Sequence, residues 1–212
     1  MSAQPADVLA ADPPAFSADE AAAVARSTYG LVGTARPLVS ERDQNFAISA
    51  ADGSSWVLKI SNAAEDRGVV EMEVAAVARI AAVDPELPVP TARATLDGEP
   101  IASIETDRGV HLVRLLPLLP GRNPRPDELS ARNVRDIGEL VARLARAVRS
   151  FFHPAAGRVI SWDQQHLPGL FQHAELITDP SRRSLLDRVI SRSRSMWSRP
   201  SRRCGRRSST TT

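Results

Sequence analysis

The alternation of apolar and polar positions divides the chain into a first part made of short strands and a second part made of helices. Ser17–Glu20 has the form of a capping box, which predicts a helix through about Tyr29 that ends at Gly30. Period-two alternation then predicts three strands, near residues 36–39, 46–48 and 55–60, and the turn at 51–53 joins the last two. The order is helix, strand, polar loop, strand, turn, strand.

The pattern after residue 60 predicts one more helix, further strands and then a run of helices. Apolar residues recur at helical spacing over 67–83, and the prolines of 87–90 end that helix. Strands are predicted over 92–96, 101–105 and 110–116, with a turn at Asp97-Gly98. A long amphipathic helix lies within 127–152, and shorter helices are predicted over 168–176 and 180–189. This order predicts an α+β fold with about five antiparallel strands.

Charge changes the interpretation of the C-terminal segment. The net charge is +2, but residues 191–212 carry seven arginines and no acid, so removing them leaves −5 for residues 1–190. We predict a mildly acidic body and a disordered basic tail over 191–212. One interpretation is a tail that binds RNA or DNA through phosphates. The other is translation out of frame, because the shifted codons of residues 207–212 are compatible with two apolar residues followed by residues such as His, Asn and Asp.

The N-terminal segment and the cysteine count narrow the class of protein. Residues 1–15 are rich in Ala and Pro and lack the basic n-region of a signal peptide, so we predict a disordered lead. No stretch is apolar enough for a membrane span. The single Cys204 excludes an internal disulfide and a multi-cysteine metal site. We therefore expect a cytoplasmic protein.

Lys59 is the only lysine among 27 basic residues, and its position matters more than its rarity. Strand alternation places it on the face opposite Leu58, between apolar neighbours, where a charge needs a partner or a ligand. Glu71 and Glu73 in the following helix are the candidate partners, and Glu73 is favoured because it borders the apolar stripe. The alternative is an edge-strand lysine exposed to solvent. Three antiparallel strands that end in a lysine, followed by a helix with a glutamate, are the arrangement that holds nucleotide phosphates in kinases.

The chain resembles the aminoglycoside phosphotransferase/choline kinase-like family, and within it the hydroxylysine kinase-like branch. The resemblance covers about residues 16–190. It is carried by Ser40-Glu-Arg-Asp-Gln-Asn-Phe46, Trp56-Val-Leu-Lys-Ile-Ser-Asn62, Pro88-Val-Pro90, His111-Leu-Val-Arg-Leu-Leu-Pro117 with Pro120-Gly121, and Ile137-Gly-Glu-Leu-Val-Ala-Arg-Leu144. It implies a kinase-like N-lobe over 16–120 and a partial helical C-lobe over 121–190.

The resemblance also implies roles for individual residues. Lys59 orients the phosphates of ATP or GTP and is itself oriented by Glu73. The loop that covers the phosphates comprises Ser40, Arg42, Asp43, Gln44 and Asn45, and the backbone of Leu116 and Leu118 serves as the hinge for the base. The alternative for residues 116–119 is a simple turn between elements.

The family's catalytic loop has no counterpart among the histidines of this chain. The resemblance implies magnesium and a His-x-Asp loop with later Asn and Asp residues, and none of His111, His153, His166 and His173 stands in that pattern. We therefore expect a chain that is truncated before the catalytic loop, contains no metal ligands and is inactive alone. The implied parent reaction transfers a nucleotide γ-phosphate to a hydroxyl of a small amino-alcohol or hydroxylysine-like substrate.

Two other functions stay open. One is a nucleic-acid-binding protein that uses the Arg/Ser tail, which has a single aromatic residue, Trp197, and no recognisable binding module. The other is a non-catalytic nucleotide-binding module whose uncovered apolar face is covered by a partner or by self-association. A membrane partner is not expected.

Overall fold

The computed structural model describes residues 11–158 and 171–197. The chain divides into two compact units, Met1–Arg158 and Val159–Thr212. The first unit contains helices α1 (Ala18–Tyr29), α2 (Arg67–Val83) and α3 (Ala131–Ala147), strands β1 (Gly33–Leu38), β2 (Gln44–Ala50), β3 (Ser55–Ile60), β4 (Ala102–Thr106) and β5 (Gly109–Pro117), and 3-10 turns at Pro126–Glu128 and Pro154–Gly157. The second contains a 3-10 segment, Phe171–Leu176, and helix α4 (Pro180–Trp197).

The five strands form one antiparallel sheet in the order β1-β2-β3-β5-β4, with β3 at its centre. One face of the sheet packs against α1 and carries the main core, which includes Phe46, Ile48, Leu58, Ile60, Val113 and Leu115 together with Ala21, Ala25 and Tyr29 of α1. The predicted α+β class and the five-stranded antiparallel sheet are confirmed.

Helix α1 begins and ends where its sequence predicts. The Ser17 hydroxyl accepts from the N–H of Glu20, and the Glu20 carboxylate accepts from the N–H of Ser17, which completes the capping box. Gly30 ends the helix at φ 65°, a left-handed conformation that glycine adopts without a steric penalty. The preceding residue, Tyr29, is buried, and its hydroxyl donates to the carbonyl of Val113 at 3.1 Å, so α1 is tied directly to β5.

Tyr29 makes the stability of this sheet sensitive to alkaline pH. Burial raises the pKa of Tyr29 to about 12, well above the ordinary value near 10. A group whose pKa is raised by folding contributes stability that is present below the unfolded pKa and is lost as the pH rises through the folded value. We expect the free energy of unfolding to fall by about 2 kcal/mol between about pH 10 and about pH 12.

The measurement is urea unfolding across that pH range for the native chain and for Tyr29→Phe. The phenylalanine variant is expected to lose about 1 kcal/mol at neutral pH, because the Val113 carbonyl loses its donor, and to show a flatter alkaline limb. Equal alkaline slopes in the two proteins would contradict the role given to Tyr29.

The predicted strand over 92–96 is not part of the sheet. Arg93 donates its N–H to the carbonyl of Leu115, but no ladder follows. The predicted turn is present, since Gly98 has φ 87° and donates to Thr95. Thr95 donates its N–H to the carbonyl of Glu99 at 2.8 Å across this turn, but the next residue, Pro100, has no N–H to extend the pairing into a ladder.

Two other boundaries differ from expectation, one at the N-terminal lead and one at the end of α4. Residues 11–15, which we predicted to belong to a disordered lead, lie against the folded body, and Pro14 is buried. Helix α3 covers 131–147, inside the range 127–152 where a long helix was predicted, and the side chain of Ser130 caps it by accepting from the N–H of Asn133. Helix α4 continues to Trp197, into the segment predicted to be a disordered tail, where arginine is a good helix former. Residues 1–10, 159–170 and 198–212 lie outside the described residues, and with them His166 and most of the tail.

No helix in the described ranges is both long enough and apolar enough to cross a membrane.

Candidate functional site

The site is built on the face of the sheet opposite α1. Register places Lys59 of β3 directly across from Asn45 of β2 on one side and from Arg114 of β5 on the other. Directly opposed residues of antiparallel strands have Cβ atoms about 5 Å apart and project to the same face. Asn45, Lys59 and Arg114 therefore form one polar row across three strands, which we call the cross-strand row.

Lys59 is paired with the loop that connects β1 and β2. Its Nζ lies 2.6 Å from Oδ2 of Asp43, and the two side chains are 28% and 14% exposed. The other carboxylate oxygen of Asp43 accepts from the backbone N–H of Asn62 at 3.2 Å. These two contacts hold the Asp43 carboxylate next to the Lys59 ammonium, at the position that a bound anion would occupy.

The ion pair that we expected between Lys59 and Glu73 is not the one that forms. Glu73 projects from α2 toward the sheet, as predicted, but its Oε2 accepts from Nη1 of Arg114 at 2.9 Å. Register explains the difference, because Arg114 stands beside Lys59 on the same face and carries a longer side chain. Glu71, the second candidate, forms a surface pair with Arg67 one turn away.

Two members of the cross-strand row have a buried polar atom that makes no hydrogen bond. Arg114 has a side chain that is only 6% exposed, and its Nε lacks an acceptor. The buried Oδ1 of Asn45 lacks a donor. An unpaired buried polar group costs about 1–3 kcal/mol, so such groups cluster where a ligand or an unusual function requires them. Both atoms flank Lys59, which fits a site for a polar ligand at this place.

The loop predicted to cover phosphates is shorter than expected. It comprises residues 39–43, because Gln44 and Asn45 already belong to β2. The Gln44 side chain amide bonds both backbone groups of Phe16, at 2.8 and 2.7 Å, and strand alternation places it on the α1 face, away from Lys59. The role implied for Gln44 therefore does not match its position. Ser40 is exposed in the loop.

Asn62 holds the base of this loop in place. It is buried, and its amide donates to the carbonyl of Asp12 at 2.9 Å and, at longer distances, to those of Ala11 and Arg42. Its Oδ1 accepts from the N–H of Ala64 at 2.9 Å. One side chain thus joins the N-terminal segment, the loop and the end of β3, which explains why residues 11–15 are ordered.

Further charges surround the row. Nη1 of Arg158 lies 3.7 Å from Oε1 of Glu65, and its Nη2 lies 3.7 Å from Oε1 of Glu73. Glu73 therefore pairs with both Arg158 and Arg114. Burial raises the pKa of Glu65, while the positive charges of Arg158 and Arg42 oppose that shift. Positive and negative side chains therefore alternate among the described residues near Lys59, and Glu73 lies between Arg114 and Arg158.

The backbone of the segment predicted as a hinge is mostly paired with β3 of the sheet. Leu116 lies in β5 opposite Val57, and the N–H of Leu118 donates to the carbonyl of Ser55 at 3.0 Å. The side chains of Leu118 and Leu119 are exposed at this edge. A nucleotide base at this edge would contact the exposed leucines, since the Leu118 donor is already used.

Two of the described histidines, His111 and His153, have structural roles. His111 is buried, its Nδ1 lies 2.9 Å from the carbonyl of Ser61, and its ring meets Phe16 edge to face. His153 caps the short turn that follows it. Within residues 11–158 and 171–197, no three His, Cys, Asp or Glu side chains are grouped so that they could hold a metal ion. The described residues therefore do not by themselves fit the magnesium that the resemblance implies.

Sequence reasoning missed Arg114 and Asn62. Arg114 carries the same signal as Lys59, a charged residue between apolar neighbours in a strand, and register pairs the two. Asn62 carries no such signal, because its partners are backbone groups distant in sequence.

The family model described as the phosphotransferase enzyme family matches residues 34–199, which includes the whole cross-strand row. This chain belongs to the phosphotransferase enzyme family. Two solved structures of kinases confirm the kinase-like fold. An aminopropanol kinase associated with a microcompartment superposes with a TM-score of 0.54 at 19% identity, covering 71% of this chain and 46% of the other. An amicoumacin kinase in complex with AMP-PNP and Ca²⁺ gives 0.63 at 14% identity, covering 86% and 54%.

The curated relatives that match this chain carry the name hydroxylysine kinase. Hydroxylysine kinase from Danio rerio is 29% identical over 187 residues, which is 84% of this chain and 52% of the relative. The enzyme of the same name from Mus musculus is 28% identical over 195 residues, with 84% and 51% covered. The chain thus spans about half the length of the curated relatives it matches.

Proposed function

We propose that this chain is the nucleotide-binding half of a small-molecule kinase. The parent reaction transfers the γ-phosphate of ATP or GTP to a hydroxyl of a small amino alcohol. The observation that carries the proposal is Lys59: a partly buried ammonium at the centre of a kinase-like sheet, held by a single carboxylate from the loop above it. A lysine at this place holds nucleotide phosphates in kinases.

In this proposal the Asp43 carboxylate and a nucleotide phosphate bind the Lys59 ammonium alternately. Without nucleotide, the Asp43 carboxylate neutralises Lys59 at 2.6 Å. When nucleotide binds, phosphate oxygens replace that carboxylate, and the loop over 39–43 moves with Asp43 to cover the phosphates. The Asn62 N–H releases the Asp43 carboxylate in this step, while the Asn62 side-chain amide keeps its contact with the carbonyl of Arg42 at the base of the loop. Magnesium bound with the nucleotide would neutralise charge on the phosphates, and the described residues by themselves do not fit it.

The substrate class rests on the names of the relatives. Hydroxylysine and aminopropanol both carry a hydroxyl near an amino group, and enzymes named for them are similar to this chain in sequence or fold. We propose an acceptor of that class for the complete enzyme. The described residues offer no catalytic loop of the kind that receives the substrate proton, so we propose that this chain alone does not turn over.

Calorimetry and a kinase assay on the purified 212-residue chain test both parts. We expect binding of ATP or GTP, with magnesium, at concentrations up to about 1 mM, and no phosphorylation of hydroxylysine or 1-amino-2-propanol. Adenosine and guanosine, which lack the phosphates, are the matched controls. Absence of nucleotide binding would overturn the binding function. Magnesium-dependent phosphorylation by this chain would overturn its proposed inactivity and leave the nucleotide site in place.

A further inference from the structure

We propose that the N-terminal segment over residues 11–16 belongs to the phosphate site, and that Gln44 and Asn62 are the positioning residues that attach it. The segment fixes the C-terminal end of the loop over 39–43, so that the rest of the loop can cover nucleotide phosphates. The inference rests on the proposed nucleotide binding. It gives a role to residues that precede the range matched by the family model, which begins at residue 34.

Two side chains attach this segment to the ends of β2 and β3. Gln44, the first residue of β2, accepts from the N–H of Phe16 at 2.8 Å and donates to the carbonyl of Phe16 at 2.7 Å. Asn62, which is 1% exposed, donates to the carbonyl of Asp12 at 2.9 Å. Gln44 is directly opposed to Ile60, two residues before Asn62. The segment therefore crosses both strands at the edge of the sheet where the loop lies.

The same edge holds the C-terminal end of the loop. The side-chain amide of Asn62 lies 3.5 Å from the carbonyl of Arg42, and its backbone N–H donates to the Asp43 carboxylate at 3.2 Å. Gln44 follows Asp43 directly in the chain. Residues 39–41, in contrast, are exposed. The loop thus has a fixed end over 42–44 and an exposed part over 39–41 that can move over a ligand.

The segment is itself anchored at the end that leads into α1. The ring of Phe16 meets the buried ring of His111 edge to face, with 5.4 Å between their centroids. Nδ1 of His111 lies 2.9 Å from the carbonyl of Ser61, the residue before Asn62. Phe16 is followed by Ser17, the N-cap of α1. A loop whose base is fixed in this way loses less conformational entropy when it closes on a ligand.

This role predicts that a residue facing away from Lys59 affects ATP binding. Gln44→Met removes both hydrogen bonds to Phe16. The loop then populates the phosphate-covering position less often, so we expect the affinity for ATP with magnesium to fall about fivefold. Adenosine has no phosphates for the loop to cover, and its affinity is expected to stay unchanged.

Asn62→Asp is the second variant. It keeps the oxygen that accepts from the N–H of Ala64, but it places a carboxylate against the carbonyls of Asp12 and Arg42. We expect a similar loss of ATP affinity. In the double variant Gln44→Met/Asn62→Asp, the loss is expected to be smaller than the product of the two single losses, because both residues act through one segment.

The experiment is calorimetry with ATP and with adenosine on the full chain carrying each single substitution or both, with thermal unfolding of every variant. Ser54→Ala is the matched control. It also removes two side-chain hydrogen bonds, to Asp52 at 2.6 Å and from Trp56 at 2.7 Å, but at the opposite end of the β2–β3 hairpin. Its ATP affinity is expected to stay within about twofold of the native value, since exposed turn contacts far from the loop do not order it. If Asn62→Asp does not fold, Gln44→Met and Ser54→Ala decide the matter.

Lys59→Met, measured alongside, separates this inference from the proposed nucleotide binding. If Lys59→Met leaves ATP affinity unchanged, the nucleotide site is wrong and the inference falls with it. If Lys59→Met weakens ATP binding while Gln44→Met does not, the site stands and the role of the segment is wrong. Equal losses for ATP and adenosine, an equal loss in Ser54→Ala, or fully multiplicative losses in the double variant would also overturn that role.

Discussion

Lys59→Met is expected to weaken binding of ATP with magnesium by roughly 10- to 100-fold, because hydrogen bonds to charged groups contribute about 1.5–3 kcal/mol. The ammonium is the most accessible cation of the cross-strand row and the one held by the loop. Methionine preserves most of the side chain's length and apolar stem, so the sheet is expected to remain folded. The measurement is calorimetry with ATP and with adenosine, and only the ATP affinity is expected to fall.

Arg26→Met is the matched control, since it removes one exposed positive charge from α1, on the opposite face of the sheet. It is expected to leave ATP affinity within about twofold, because interactions between exposed charges beyond about 10 Å are screened at ordinary salt. Equal losses in the two variants would show that ATP responds to overall charge, and the site at Lys59 would then be rejected.

Local signals were sufficient to predict most of the first unit. The capping box at Ser17–Glu20, the left-handed Gly30 and the alternation over β3 each act within a few residues, and each was found as predicted. The strand expected over 92–96 failed because pairing depends on a partner arm, and Pro100 interrupts that arm. The C-terminal boundary failed for a different reason, since arginine and serine in α4 are compatible with both a helix and a tail.

The partners within the site depend on register, which local patterns do not specify. Alternation placed Lys59 on the correct face, and the apolar stripe of α2 correctly favoured Glu73 over Glu71 as the residue that projects toward the sheet. The pairing itself was wrong, because Arg114 is brought beside Lys59 only when β5 inserts next to β3. Strand order in the sheet is a long-range property, so the competition for Glu73 could not be seen in the sequence.

The largest effect on stability is expected from Leu58→Ala. Leu58 is fully buried at the centre of β3, on the face that packs against α1, and it belongs to the main core. Removing a buried leucine side chain to alanine costs about 2–5 kcal/mol, and the central strand leaves little room for neighbours to collapse into the cavity. Urea unfolding measures the loss directly.

Val57→Ala is the matched control, because Val57 precedes Leu58 on the same strand and projects to the face of the cross-strand row. It is only partly buried, so a smaller loss of about 1 kcal/mol is expected. The two substitutions should also differ in their effect on ATP affinity, because they lie on opposite faces of the sheet. Leu58→Ala should leave ATP affinity of the folded fraction unchanged, whereas Val57→Ala removes apolar surface next to Lys59 and should weaken it. Similar destabilisation by both substitutions would mean that the core does not lie on the α1 face of this sheet.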